Sequence, residues 1–257
     1  MDRDHIDPLL RRLRLPRIRS IYESWIERCS RDGTSLSDFL GGLLAEEVTA
    51  RDESSLRSSF KHANFPFDRT LEQFDFRRHP ELRKQLFQTY LDPSFVREGR
   101  SLVLIGPPGL GKTHLAVAIG THMVQRGFNV RCVRVQTLMN RVLACNSSRD
   151  RERYLAAYKS CDLLVLDELG YLVPEPETGP VLYELIADRY EKRATIITSN
   201  KSLTEWGNVV HDAALAAALV DRLMHHGDVY YLKGQSYRLR DKKITDVEAA
   251  GQGTLSA

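Results

Sequence analysis

The stretch Ser101-Leu102-Val103-Leu104-Ile105-Gly106-Pro107-Pro108-Gly109-Leu110-Gly111-Lys112-Thr113 decides the reading of this chain. It opens on a short apolar run with the composition of a buried strand. From Gly106 to Thr113 it matches GxxxxGK[ST] in full. The following residues, His114-Leu115-Ala116-Val117-Ala118-Ile119, favour helix. Glycines let backbone N–H groups converge on phosphate oxygens without Cβ clashes, and a helix N-terminus adds a dipole that favours anions. A lysine at position 112 reaches the outer phosphates, and the hydroxyl of Thr113 suits Mg²⁺. Gly106, Pro107, Pro108, Gly109, Leu110, Gly111, Lys112 and Thr113 are therefore the candidate residues for binding ATP. A surface turn could match the string by chance, but strand before and helix after argue against it.

Downstream, Asp162-Leu163-Leu164-Val165-Leu166-Asp167-Glu168 reads as an apolar strand ending in two acids. Asp167 is the candidate for Mg²⁺, and Glu168 for the base that polarises an attacking water. The plainer alternative is a strand running into a solvated acidic turn. Thr195-Ile196-Ile197-Thr198-Ser199-Asn200 is a further buried strand. A polar residue at the carboxyl end of such a strand faces the ligand crevice, so Asn200 is placed to orient water or touch the γ-phosphate. A turn-initiating Asn is the competing reading. Arg222, in Val220-Asp221-Arg222-Leu223, and Arg238, in Ser236-Tyr237-Arg238-Leu239-Arg240, are arginines of the kind that stabilise a transferring phosphoryl group. Spacing alone places neither near the site, and an arginine on a helix surface is the commoner case.

Short apolar runs at Leu102–Gly106, Val130–Val135, Leu163–Asp167, Ala194–Ser199 and Val229–Leu232 alternate with helical patterns. Such alternation predicts an α/β fold, with a parallel sheet flanked by helices. Residues 1–62 read differently, as a small all-helical domain. Leu10, Leu13, Ile18, Tyr22, Trp25 and Cys29 recur at helical spacing, interrupted at Pro16 and ended by Gly33. A second helix starts near Ser35, with Asp38 as a capping partner, and carries Leu36, Leu40, Leu43, Leu44, Val48, Leu56 and Phe60 on one expected face. Gly41 and Gly42 each weaken it by ~1 kcal/mol relative to Ala. Asn64-Phe65-Pro66 breaks the pattern, so the boundaries read 1–62 helical domain, 63–247 core and 248–257 tail, with a further helix over Pro80–Tyr90.

The 257 residues suffice for a large core without staples. A hydrophobic share of 42 % and a charged share of 28 % exclude general disorder and fibrous structure. The mean hydropathy of -0.35 excludes a membrane span. No apolar leader opens the chain, so a cytoplasmic location is expected. Cys29, Cys132, Cys145 and Cys161 form no CxxC and read as reduced core or surface thiols. The net charge of +3 is too balanced to argue nucleic-acid binding by itself.

Taken in order, GPPGLGKTHLA, LLVLDELGY, TIITSN, VDRL and SYRLR resemble the IstB-type ATP-binding proteins of bacterial insertion sequences. These are AAA+ ATPases related to the DnaC-type helicase loaders, and the resemblance spans roughly residues 8 to 243. It implies ATP sites at the interfaces of a homo-oligomer, with Arg222 as a finger supplied by the neighbour. It further implies Asn200 as a first sensor and Arg238 as a sensor in cis. Assembly on duplex DNA, engagement of a cognate transposase and resetting by hydrolysis follow from the same resemblance. Few residues follow Arg240, so any helical lid is reduced or absent, which leaves the place of Arg238 open. Phe67-Asp68, Leu71 and Phe74 are similar to an adenine-flanking segment of initiator-type relatives, or are ordinary core packing.

Two basic segments are candidates for phosphate-backbone contact: Arg11–Arg19, and Arg141–Arg153 with Arg149 and Arg151. Either could equally be a solvated helix face. With no base-reading motif, any DNA binding should be non-specific and salt-sensitive. A replicative helicase loader is the alternative that the nucleotide core does not separate. A small-molecule kinase fits less well, because adjacent Asp167 and Glu168 favour water as the acceptor. A scaffold that switches on ATP without hydrolysis is a fourth reading.

Overall fold

The computed structural model of the chain describes residues 5–79, 82–171 and 177–234. Arg238, the tail 248–257 and the expectation about a lid all fall outside the described residues. The chain divides into two compact units, Met1–His62 and Ala63–Ala257.

The first unit is built from α1 (Ile6–Arg12), α2 (Pro16–Asp32) and α3 (Leu36–Ala63). Pro16 opens α2 where a missing N–H costs nothing, and Gly33 closes it at φ 64. Ser35 caps α3, its Oγ accepting from the Asp38 N–H at 3.1 Å. Ile18, Tyr22 and Leu43 form the small core, with Leu10, Trp25 and Phe39 packed against it. The glycine pair does more than weaken α3. A Cβ on Gly42 would overlap the Trp25 ring, so only glycine admits that indole. One expectation needs correction. Leu36, Leu40, Leu44, Val48 and Leu56 do not lie on a covered face but are exposed, Leu36 at 87 %. The covered side of α3 runs through Phe39 and Leu43 instead.

The second unit is organised around a five-stranded sheet in the order β2-β3-β4-β1-β5. Its strands are β1 (Ser101–Ile105), β2 (Val130–Arg134), β3 (Leu163–Leu169), β4 (Ala194–Ser199) and β5 (Gly227–Tyr231). Every pairing is parallel, so all carboxyl ends point the same way. Helices α6 (Lys112–Gln125), α7 (Val135–Leu143), α8 (Ser148–Ser160), α9 (Thr178–Arg189), α10 (Trp206–Val210) and α11 (Ala213–His225) alternate with the strands, after the short α4 (Lys84–Thr89) and α5 (Ser94–Arg97). Strands covered on both faces read as unbroken apolar runs, and Leu163 through Leu166 are wholly buried. Boundaries shift by a few residues. The helix expected from Pro80 starts at Lys84, β2 stops at Arg134 because Val135 opens α7, and β5 begins at Gly227. β3 runs on to Leu169 through a register irregularity between Leu166 and Leu169.

Among the described residues no helix is long and apolar enough to cross a membrane. The four cysteines are free. Burial, with the Asp167 charge adding to it, pushes the Cys132 thiol up to about 12, so that sulfur is unreactive.

Candidate nucleotide site

The loop from Gly106 to Gly111 joins the end of β1 to the start of α6. Gly106, Gly109 and Gly111 take φ values of 151, 81 and 88, which β-carbons resist. Gly111 stands at the N-cap of α6 and brings no side chain to cap it. A Cβ there would press on the Phe74 ring, so the loop is also glycine because an aromatic lies against it. The side chain of Lys112 is buried, and its Nζ donates to the Gly106 and Pro107 carbonyls at 2.6 and 2.8 Å.

Three strands converge beside it. Asp167 of β3 is 2 % exposed. Its Oδ1 accepts from Thr113 Oγ1 at 2.8 Å and from Thr198 Oγ1 at 2.6 Å. Glu168 sits next in sequence at φ 62, and its N–H donates to Thr198 Oγ1 at 3.0 Å. The left-handed conformation turns the Glu168 carboxylate away from the sheet interior, and its Oε2 meets Arg134 Nε at 3.1 Å. Arg134 closes β2 directly opposite Asp167 in the register. A cavity of about 670 Å³ is lined by Gly109, Gly111, Lys112, Thr113, Asp167, Glu168, Thr198 and Arg134 on one side. Pro66, Phe67, Arg69, Phe74 and His114 line the other. His114 Nε2 donates to the Thr70 carbonyl at 2.9 Å, and burial holds its imidazole below the ordinary value, hence neutral at pH 7.

The sequence-derived residues divide into those brought together and those not. Lys112, Thr113, Asp167 and Glu168 share the cavity. Asn200 lies just beyond β4 beside Gly170 and does not line it; its Oδ1 is buried without a hydrogen-bond partner among the described residues. Arg222 is also outside the lining, its Nη1 donating to Ala218 O at 3.1 Å and its guanidinium 4.7 Å from the Tyr183 ring centroid. The aromatic segment splits. Leu71 and Phe74 are buried, whereas Phe67 is 39 % exposed on the cavity wall. Thr198 and Arg134 were not anticipated. Thr198 lies inside β4, two residues before Asn200, which is already in the bend beyond the strand, so a strand-end reading picks Asn200 and passes over Thr198.

An open helix N-terminus, a buried lysine and a paired hydroxyl and carboxylate are the chemistry that binds a triphosphate with its cation. The fold and this site define a P-loop ATPase of the AAA+ class. The sequence family described as IstB-like ATP binding protein matches residues 8–245, and the chain belongs to that family. The ATP-binding protein of insertion sequence IS5376 from Geobacillus stearothermophilus is 34 % identical over 97 % of this chain and 100 % of that one. The ATP-binding protein of insertion sequence IS21 from Pseudomonas aeruginosa is also 34 % identical, over 94 % of this chain and 91 % of its own length. Among solved structures, replication initiator DnaA bound to AMPPCP and single-stranded DNA shares the fold, with a TM-score of 0.56 and 21 % identity over 67 % of this chain. The chain spans about half of that DnaA, 52 %.

Proposed function

We propose that this chain is an ATP-dependent transposition helper. It assembles with ATP on duplex DNA, engages the transposase of its own insertion sequence and hydrolyses ATP to reset. The observation that carries this reading is the split between Glu168, held in the cavity beside Asp167, and Arg222, which faces Tyr183 outside it. Arg134, the arginine beside Glu168, is tied to that base, so in this reading the Arg222 of a second copy completes the site and hydrolysis depends on assembly. Thr113 and Asp167 would hold Mg²⁺, which when bound neutralises charge on the phosphates. Lys112 binds the outer phosphates, Thr198 holds the Asp167 carboxylate in position, and Glu168 takes a proton from water once Arg134 releases it. Asn200 is the side chain at the end of β4 with an acceptor still to satisfy, in keeping with a sensor that moves toward the water.

For the DNA contact, both basic segments pair arginines with acids, and the hollow beside the second favours that one. In the first, Arg11 and Arg19 both pair with Asp7, at 2.9 and 2.5 Å, and Arg17 pairs with Glu46 at 2.8 Å. In the second, Arg153 pairs with Asp150 at 3.3 Å, Arg141 lies 6.0 Å from the Tyr154 ring centroid, and a hollow of about 420 Å³ is lined by Arg141, Arg153, Asp150, Asn146 and Tyr154. Guanidinium and aromatic groups around an open hollow suit a phosphate backbone.

The test is phosphate release with and without duplex DNA at two salt concentrations, with oligomer size followed by sedimentation. Stimulation by DNA that fades at high salt, together with growth of the assembly when ATP and DNA are both present, is expected. A chain that stays monomeric with both ligands overturns the reading. Capture of a replicative helicase, with no capture of the transposase, would move it to a helicase loader.

A further inference from the structure

We propose that Glu191, His225 and His226 form a binding site for a zinc-type transition-metal ion, distinct from the magnesium chemistry of the nucleotide cavity. His226 immediately precedes β5 and Glu191 lies just before β4, whereas the phosphate loop follows β1. In a sheet whose strands are all parallel, the two places are at opposite ends.

The geometry is that of ligands around one point. His226 Nε2 lies 3.2 Å and His225 Nδ1 3.5 Å from the same carboxylate oxygen, Glu191 Oε1. Ligands held at ~2.0–2.2 Å around a tetrahedral ion stand roughly 3.3–3.5 Å apart. The three donor atoms all lie within 4.8 Å of one another, so the two imidazoles close on an ion by ~1 Å of rotation. The side chains are about half exposed and free to make that movement.

The backbones that carry them are fixed. Ser101 N–H donates to the His226 carbonyl at 3.0 Å, tying it to β1. Glu191 adopts φ 58 in a turn closed by Lys192 and Arg193 N–H bonds to Arg189 O at 3.0 and 2.9 Å. That turn rests on Gly99, where a Cβ would meet its backbone. The Tyr190 hydroxyl is 2.7 Å from His225 Nδ1, the same nitrogen offered to the ion, so an ion displaces that hydrogen bond and the Tyr190 hydroxyl turns away. The neighbouring cations are engaged elsewhere, Arg100 with Asp228 at 2.9 Å and Arg193 with Asp162 at 3.5 Å. A hollow of about 500 Å³ lined by Glu98, Arg100, Glu191 and His226 opens the site to solvent and leaves room for a fourth ligand.

Two imidazoles and one carboxylate select Zn²⁺, Co²⁺, Ni²⁺ or Cu²⁺ over Mg²⁺ and Ca²⁺. An ion here ties the end of α11 to the turn between α9 and β4. Arg222 lies one helical turn before His225 on that helix.

The full-length chain, stripped with chelator, is titrated with Co²⁺ and followed by its visible absorption. One Co²⁺ per chain, displaced by Zn²⁺, is expected. The double substitution His225→Ala/His226→Ala should weaken binding by about tenfold or more, and Glu191→Gln by several-fold. Equal Co²⁺ binding by parent and double variant, or none by the parent, overturns the proposal. Glu191→Gln decides the matter should the double variant fail to fold. The readout is metal occupancy, so a negative result leaves the ATPase reading untouched.

Discussion

Helices α2 and α6 start in the same predicament and resolve it in opposite ways. Neither has a side-chain cap of its own, α2 beginning after Leu15 and α6 after Gly111. At α2 a carboxylate from α3 fills the gap, Glu47 Oε2 accepting from the Arg17 and Ile18 N–H groups at 2.9 and 3.0 Å. At α6 glycines leave the N–H groups facing a cavity. A helix N-terminus is an anion site by construction. The chain closes one with its own acid and keeps the other for a phosphate. Arg189 is the mirror case, its Nη1 taking the Tyr158 and Cys161 carbonyls at the end of α8 at 2.7 and 2.9 Å.

The largest effect is expected where the N-terminus is left open. Lys112→Ala should weaken ATP binding by about a hundredfold or more and reduce turnover to background, with the fold intact. A fluorescent ATP analogue measures the first and phosphate release the second. Glu168→Gln should lower turnover by ~10²–10⁴ while binding persists. Full turnover in Glu168→Gln would mean that ATP acts here only as a switch. Glu47→Ala, at the self-capped terminus, should leave both quantities unchanged.

Next in size is the mirror case. Arg189 is 1 % exposed, and besides α8 it donates from Nε to Thr195 Oγ1 at 3.1 Å and bonds the Ala194 carbonyl at the start of β4. Arg189→Leu removes these bonds and leaves several carbonyls buried and unpaired. At ~1–3 kcal/mol for each orphaned group, a loss of ~3–5 kcal/mol is expected after relaxation. Chemical denaturation followed at buried Trp206 should report it, while α2 amide protection stays as in the parent.

The difference between these termini also explains what was legible in the sequence. The phosphate loop and the acidic strand are contiguous, so their residue types reveal their place. Thr198 and Arg134 reach Asp167 and Glu168 only because β4 and β2 flank β3, a neighbourhood that no local pattern contains. For the same reason Asn200 drew attention at the end of its strand while the hydroxyl two residues earlier makes the contact. On α3 the periodicity was real, but the helix carries two apolar sides. Spacing does not reveal which side Trp25 and Tyr22 will cover. Gly42, facing Trp25, was the local mark of the packed side.

The smallest expected effect belongs to the self-capped terminus and carries a pH signature. Burial raises the Glu47 carboxyl, but the Ile18 N–H, Arg51 and the Arg17 N–H outweigh it and hold the group below its ordinary value of 4.5. A carboxyl depressed in the folded chain stabilises it fully above the unfolded value and loses that contribution as pH falls through the folded one. Glu47→Ala should therefore cost ~1–2 kcal/mol of first-unit stability at pH 7. That penalty should shrink as the medium is acidified below 4.5. Hydrogen exchange at Arg17 and Ile18, parent against variant at each pH, reads it directly. Glu47→Gln keeps an acceptor for the same N–H groups and loses only the charge, so it should retain part of the protection and lose the pH dependence. A penalty that is the same at pH 7 and pH 3 would mean that Glu47 acts through packing and that the parallel between the two helix termini is one of shape alone.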